Sequence, residues 1–124
     1  MGYKIITAQE FAAAHKIADY PGDCGQIHGH TWKVEVTFSG NELNDLGMLF
    51  DFREAKQLLI RVLSDFDHKL INDIPPFDSI NPTAENLANY FYTRLKQEIS
   101  DLCRLQEVKV WESQYSCAVY SEDF

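Results

Sequence analysis

From His28 to Ser39 the chain alternates: His28, His30, Trp32, Val34, Val36 and Phe38 share one parity, and Thr31, Lys33, Glu35, Thr37 and Ser39 share the other. Period two predicts a strand over residues 30–40 with one buried face, and the two histidines continue that face. Residues 4–15 predict a second strand. From Asp51 the period becomes helical. Phe52, Ala55, Leu59, Val62, Leu63 and Phe66 fall on one face, with Asp51 and Glu54 placed like an N-cap and its N3 partner. Ala84, Leu87, Ala88, Phe91, Leu95 and Ile99 predict another helix, started by Asn81-Pro82-Thr83 with the proline in its first turn. Glu107–Glu112 and Tyr115–Tyr120 read as two more strands around a Ser113-Gln114 turn.

The resulting order ββααββ is an α+β pattern, a four-stranded antiparallel sheet with two helices on one face. Its other face and its edges need cover, which predicts a homo-oligomer. Pro75-Pro76 divides the two helical patterns, and no internal repeat or low-complexity stretch interrupts them.

Composition narrows the function. A chain of 124 residues, 45% hydrophobic, fits one domain spanning residues 1–124 with an ordinary core. The formal net charge of −8, acids and bases interspersed, argues against a nucleic-acid binder, so an anionic substrate would need a local basic pocket. The N-terminus lacks the pattern of a signal peptide, and no apolar run is long enough for a membrane span, so a cytoplasmic location with no membrane partner is expected. Cys24, Cys103 and Cys117 are odd in number and irregularly spaced, which suits free thiols, with Cys103 and Cys117 as packing residues.

Of the four histidines, two stand in Cys24-Gly-Gln-Ile-His-Gly-His30. Side chains at i and i+2 of a strand point to one side, so His28 and His30 can converge on one ion, and His15 at the end of the preceding strand could add a third nitrogen. Three imidazoles suit zinc and leave a position open for water or substrate. The alternative is a polar His-Gly-His turn and a hydrogen-bonded core histidine at position 15. Cys24 can be a base or nucleophile with a lowered pKa, a fourth zinc ligand, or an inert buried thiol. Asp67-His68 has the composition of a proton relay, but an Asp-His pair after a helix is more often plain capping, the reading that local sequence favours. Glu112 shares parity with Val108 and Val110 and should point into the apolar face. A buried carboxylate must be paired, whether with the donor edge of a guanidine-like heterocycle or with a backbone turn.

Phe11-Ala-Ala-Ala-His15, Cys24-Gly-Gln-Ile-His-Gly-His30, Gly47-Met-Leu-Phe-Asp51-Phe, Asp67-His68, Asn81-Pro-Thr-Ala-Glu-Asn86 and Val110-Trp-Glu112 together resemble the 6-pyruvoyltetrahydropterin synthase family, in order from end to end. The likeness is closest to its bacterial 6-carboxy-5,6,7,8-tetrahydropterin synthase branch, in which the cysteine stands four positions before His-Gly-His. The resemblance implies a tunnelling fold assembled through its sheets, commonly as a hexamer with active sites at subunit interfaces. It implies zinc on His15, His28 and His30, Cys24 as proton-abstracting residue, Asp67 and His68 as its relay, and Glu112 gripping the pterin, with Thr83 a further substrate contact.

The implied reaction converts 7,8-dihydroneopterin triphosphate to 6-carboxytetrahydropterin with loss of acetaldehyde and triphosphate, a step toward queuosine. Zinc would act as a Lewis acid on the substrate hydroxyls while Cys24 and His68 move protons. Lys16, directly after His15, is a candidate triphosphate contact or a solvated strand-end lysine. Phe66 and Ser113 stand where relatives often carry leucine and threonine, and neither removes a functional group. The alternatives are the 6-pyruvoyl activity, a folate-pathway variant against which Cys24 argues, and a non-catalytic zinc scaffold.

Overall fold

The computed structural model describes residues 2–22, 25–99 and 103–124. Strand β1 (Tyr3–His15) pairs antiparallel with β2 (His28–Gly40), whose other side takes β4 (Arg104–Trp111), followed by β5 (Cys117–Tyr120). A two-residue strand, β3 (Lys69–Leu70), runs parallel to β1 at Ala13 and Ala14. Among the described residues the sheet is therefore five-stranded and mixed, in the order β3-β1-β2-β4-β5, where the sequence predicts four antiparallel strands. Two residues are too few to show a period, which hides β3 from pattern reading.

Alternation works where it is sustained. Trp32, Val34, Val36 and Phe38 of β2 are buried, as are Phe11 and Ala13 of β1 and Val108 and Val110 of β4. All point to one face, and helices α1 (Phe52–Leu63) and α2 (Ala84–Glu98) pack there. At Thr37/Phe38 the β2–β4 register shifts: Thr37 faces Glu107 but Phe38 faces Leu105. Gln106 is the extra residue of a bulge, which brings Leu105 back to the core face that strict alternation from Val108 would deny it.

Asp51 caps α1, accepting from the Arg53 amide, and Ala55, Leu58, Leu59, Val62 and Leu63 form the buried face. Phe52, predicted for that face, is 59% exposed in the first turn, whereas Phe66, beyond the helix end, is fully buried. The second helix begins at Ala84, two residues after the proline that the sequence places in its first turn. Thr83 is its N-cap, accepting from the Asn86 amide at 3.1 Å, and Pro82 stays outside the helix. The β4–β5 connection runs from Glu112 to Ser116 and is closed by Glu112 N–H donating to Ser116 O at 3.1 Å, so β5 starts two residues later than predicted. Cys103 is partly buried against the core, but Cys117 is exposed rather than a packing residue. No helix among the described residues is long and apolar enough to cross a membrane.

Candidate metal centre and active site

His15 and His28 face each other across the β1–β2 ladder, and His30 is paired with Ala13, two residues along on the same side. Antiparallel pairing thus brings three imidazoles together from two strand ends. Their ring centroids lie 4.6, 5.2 and 4.8 Å apart, and one nitrogen from each falls within 4.8 Å of the others. Trp32, fully buried, forms the floor, with its ring centroid 4.8 Å from that of His15 and 5.3 Å from that of His30. Its indole N–H donates to the Ala13 carbonyl at 3.2 Å, which fixes the ring.

The outward nitrogens are held. His15 Nδ1 lies 2.8 Å from the Pro82 carbonyl and His28 Nδ1 lies 2.7 Å from the Gln26 carbonyl. A carbonyl only accepts, so each Nδ1 carries a proton, and in the neutral imidazole that leaves Nε2 as the lone-pair nitrogen. His15 Nε2 and His30 Nε2 are buried without a hydrogen-bond partner. Orphaned buried nitrogens at the centre of a three-imidazole cluster fit a resident cation, and an all-nitrogen set of borderline softness suits zinc. Burial, the largest effect, pushes the His15 and His30 pKa values below 6.5 against the raising influence of the Pro82 hydrogen bond on His15 and of Glu112 on both, and neighbouring imidazoles push the same way as burial. Both rings are therefore neutral at neutral pH, as ligands must be.

Glu112 lies one residue past β4, and its side chain is 36% exposed. It does not enter the apolar core. Its Oε1 is 3.5 Å from His30 Nε2 and its Oε2 3.9 Å from His15 Nε2. The same residue lines an open cavity of about 450 Å³ with Ala84, Glu85, Ser116 and Cys117. The histidine cluster and the cavity therefore share one carboxylate. Glu85 offers a second carboxylate there, unmarked in the sequence because its helical position looks like any solvated first-turn acid.

Asp67 and His68 do not cap α1, whose C-cap is Ser64. Asp67 Oδ1 accepts from the Ala12 amide at 2.9 Å, while the His68 amide donates to the Ala12 carbonyl at 2.5 Å. His68 has φ +60°, and in that left-handed conformation its Nδ1 stands 3.1 Å from Asp67 Oδ1. The Ala12 hydrogen bond first, and His68 second among the lowering causes, hold the Asp67 carboxyl below its usual value. His68 remains 80% exposed and lines an open depression of about 540 Å³ with Ala12, Ala14, Gly29 and His30.

Lys16 has an exposed side chain, and its backbone is clamped by Asn72, which accepts from its N–H at 2.9 Å and donates to its carbonyl at 3.0 Å. Asn81 treats Ala18 the same way, at 2.9 and 3.4 Å. Thr83 spends its hydroxyl oxygen on the cap of α2. Cys24 lies outside the described residues. A depression of about 950 Å³ lies at the opposite end of the sheet near Lys4, Gly40 and Arg104 and holds none of the candidate catalytic, binding or metal-ligating residues.

A family model described as 6-pyruvoyl tetrahydropterin synthase matches residues 4–123. The chain belongs to that family. Among relatives of this 6-pyruvoyl tetrahydropterin synthase family member, the 6-carboxy-5,6,7,8-tetrahydropterin synthase of Bacillus subtilis is 35% identical over 81% of this chain and 70% of its own length. The 6-pyruvoyl tetrahydrobiopterin synthase of Dictyostelium discoideum is 36% identical over 80% of this chain and 73% of its own. The structure of Caenorhabditis elegans 6-pyruvoyl tetrahydropterin synthase superposes with a TM-score of 0.89 over 99% of this chain and 97% of that one, at 24% identity. The family is one of enzymes with a pterin substrate, and the fold is shared across it.

Proposed function

We propose that the chain is a zinc-dependent 6-carboxy-5,6,7,8-tetrahydropterin synthase acting on 7,8-dihydroneopterin triphosphate in queuosine biosynthesis. The observation that carries the reading is the convergence of His15, His28 and His30 with two bare, buried Nε2 atoms beside the Glu112 carboxylate. The three histidines would hold the metal, which when bound supplies Lewis acidity to lower the pKa of substrate hydroxyls. The remaining chemistry is proton movement and binding by side chains. Cys24 takes a proton from side-chain carbon, and His68, oriented by Asp67, exchanges protons with it or with substrate. Glu112 and Glu85 offer carboxylates to the donor edge of the pterin in the cavity they share. Thr83, at the same end of α2, and Lys16, beside His15, are the candidate further contacts to pterin and triphosphate.

The 6-carboxy product is preferred because Cys24 stands four positions before His28. The 6-pyruvoyl product is the second reading, favoured by the Dictyostelium relative. A homo-hexamer with interfacial sites accords with the exposed His68 and with β3 covering only Ala13 and Ala14 of the outer edge of β1.

Release of triphosphate from 7,8-dihydroneopterin triphosphate tests the reading. It is expected from the zinc-loaded wild type and lost in Cys24→Ala, with zinc retained. Loss of zinc from that variant would make Cys24 a ligand rather than the base, and no release from the loaded wild type would overturn the function.

A further inference from the structure

We propose that the Glu112 carboxylate is the fourth ligand of the metal in the substrate-free enzyme, an inference that rests on the metal-centre reading above. Its oxygens lie 3.5 Å from His30 Nε2 and 3.9 Å from His15 Nε2, yet both ring nitrogens lack a hydrogen-bond partner. Neither ring nitrogen makes a hydrogen bond to Glu112 at these separations. The His15 proton sits on Nδ1, donated to Pro82, so Nε2 turns a lone pair toward the carboxylate. Lone pair and carboxylate repel unless a cation lies between them. Donor atoms of a tetrahedral zinc site, with bonds of about 2.0–2.1 Å, stand roughly 3.3 Å apart, and the two separations approach that spacing.

The backbone holds the carboxylate in place. Val110 anchors β4 in the core, and the Glu112 amide donates to Ser116 O at 3.1 Å, closing the connection just beyond the strand. Among the described residues no lysine or arginine pairs with Glu112, and its charged-pair partners are the two imidazoles. The metal supplies the compensating charge. Because Glu112 also lines the cavity of about 450 Å³, its release from the metal frees it for substrate.

The test uses the whole chain, stripped of metal and reloaded with Co2+ without substrate, as wild type, Glu112→Gln and His28→Ala. The visible cobalt bands of Glu112→Gln are expected to differ from wild type in position and intensity, since an amide or water replaces the carboxylate. Zinc affinity, measured by chelator competition, is expected to fall about tenfold or more. Superimposable bands overturn the proposal whether or not affinity changes, because an effect on affinity alone places Glu112 outside the coordination sphere. Glu112→Asp, with its carboxylate withdrawn by one methylene, carries the same comparison if the glutamine variant fails to fold. Undiminished cobalt binding by His28→Ala would instead sink the metal-centre reading itself, so the two failures are distinguishable.

Discussion

His15 reaches across 67 residues to donate its Nδ1 proton to the carbonyl of Pro82, 2.8 Å away. The bond ties the end of β1 to the entry of α2 and fixes the ring tautomer, so that Nε2 faces His28 and His30 unprotonated. One backbone carbonyl thus links the helix start to the three-histidine cluster.

Stability should follow the protonation of that cluster. Burial lowers the pKa of His15 and His30 below the ordinary 6.5. Below about pH 6.5 the unfolded chain takes up protons that the folded metal-free chain does not, so stability falls as pH drops through that window and is flat above it. Urea unfolding of metal-free protein should give a lower midpoint at pH 5.5 than at pH 7.5, with a smaller drop in a His15→Gln/His30→Gln variant. Equal drops in both would contradict the assignment.

Phe66 is fully buried, with ring centroids 5.2 Å from Phe91, 5.5 Å from Tyr90 and 6.2 Å from Phe11, and it directly precedes Asp67. Phe66→Ala should cost about 3–5 kcal/mol of stability. Phe66→Leu should cost less and retain turnover where it stays folded. A loss below about 1 kcal/mol for the alanine variant, by urea denaturation, would show that Phe66 does not anchor the segment leading to Asp67.

Thr83→Ala should destabilise the protein by about 1 kcal/mol through loss of the α2 cap, and Thr83→Ser should restore it. If the residue also contacts the pterin, KM rises in the alanine variant while zinc content stays unchanged. An unchanged KM at full zinc occupancy would limit Thr83 to capping.

The strands that carry the three clustered histidines are legible because β2 alternates without interruption and its buried parity runs straight into His28 and His30. Asp51 as a helix cap was equally plain, because one side chain and one helix start suffice. What escaped depends on backbone groups or single dihedrals. The Pro82 and Gln26 carbonyls that hold the imidazoles carry no side-chain signal, and neighbouring residues meet at Asp67-His68 only because His68 adopts φ +60°. Glu112 was expected in the apolar core because Val108 and Val110 share its parity, but the strand ends at Trp111 and the carboxylate turns to the imidazoles instead. The clamps of Asn72 on Lys16 and Asn81 on Ala18 join segments far apart in sequence, which no local pattern reveals.

The most direct measurement is mass spectrometry of the products formed from 7,8-dihydroneopterin triphosphate by the zinc-loaded protein. The expected result is 6-carboxytetrahydropterin with acetaldehyde and triphosphate, absent when the metal is removed. Accumulation of 6-pyruvoyltetrahydropterin would contradict the assigned product while leaving the metal centre in place, and turnover unaffected by metal removal would contradict the centre itself.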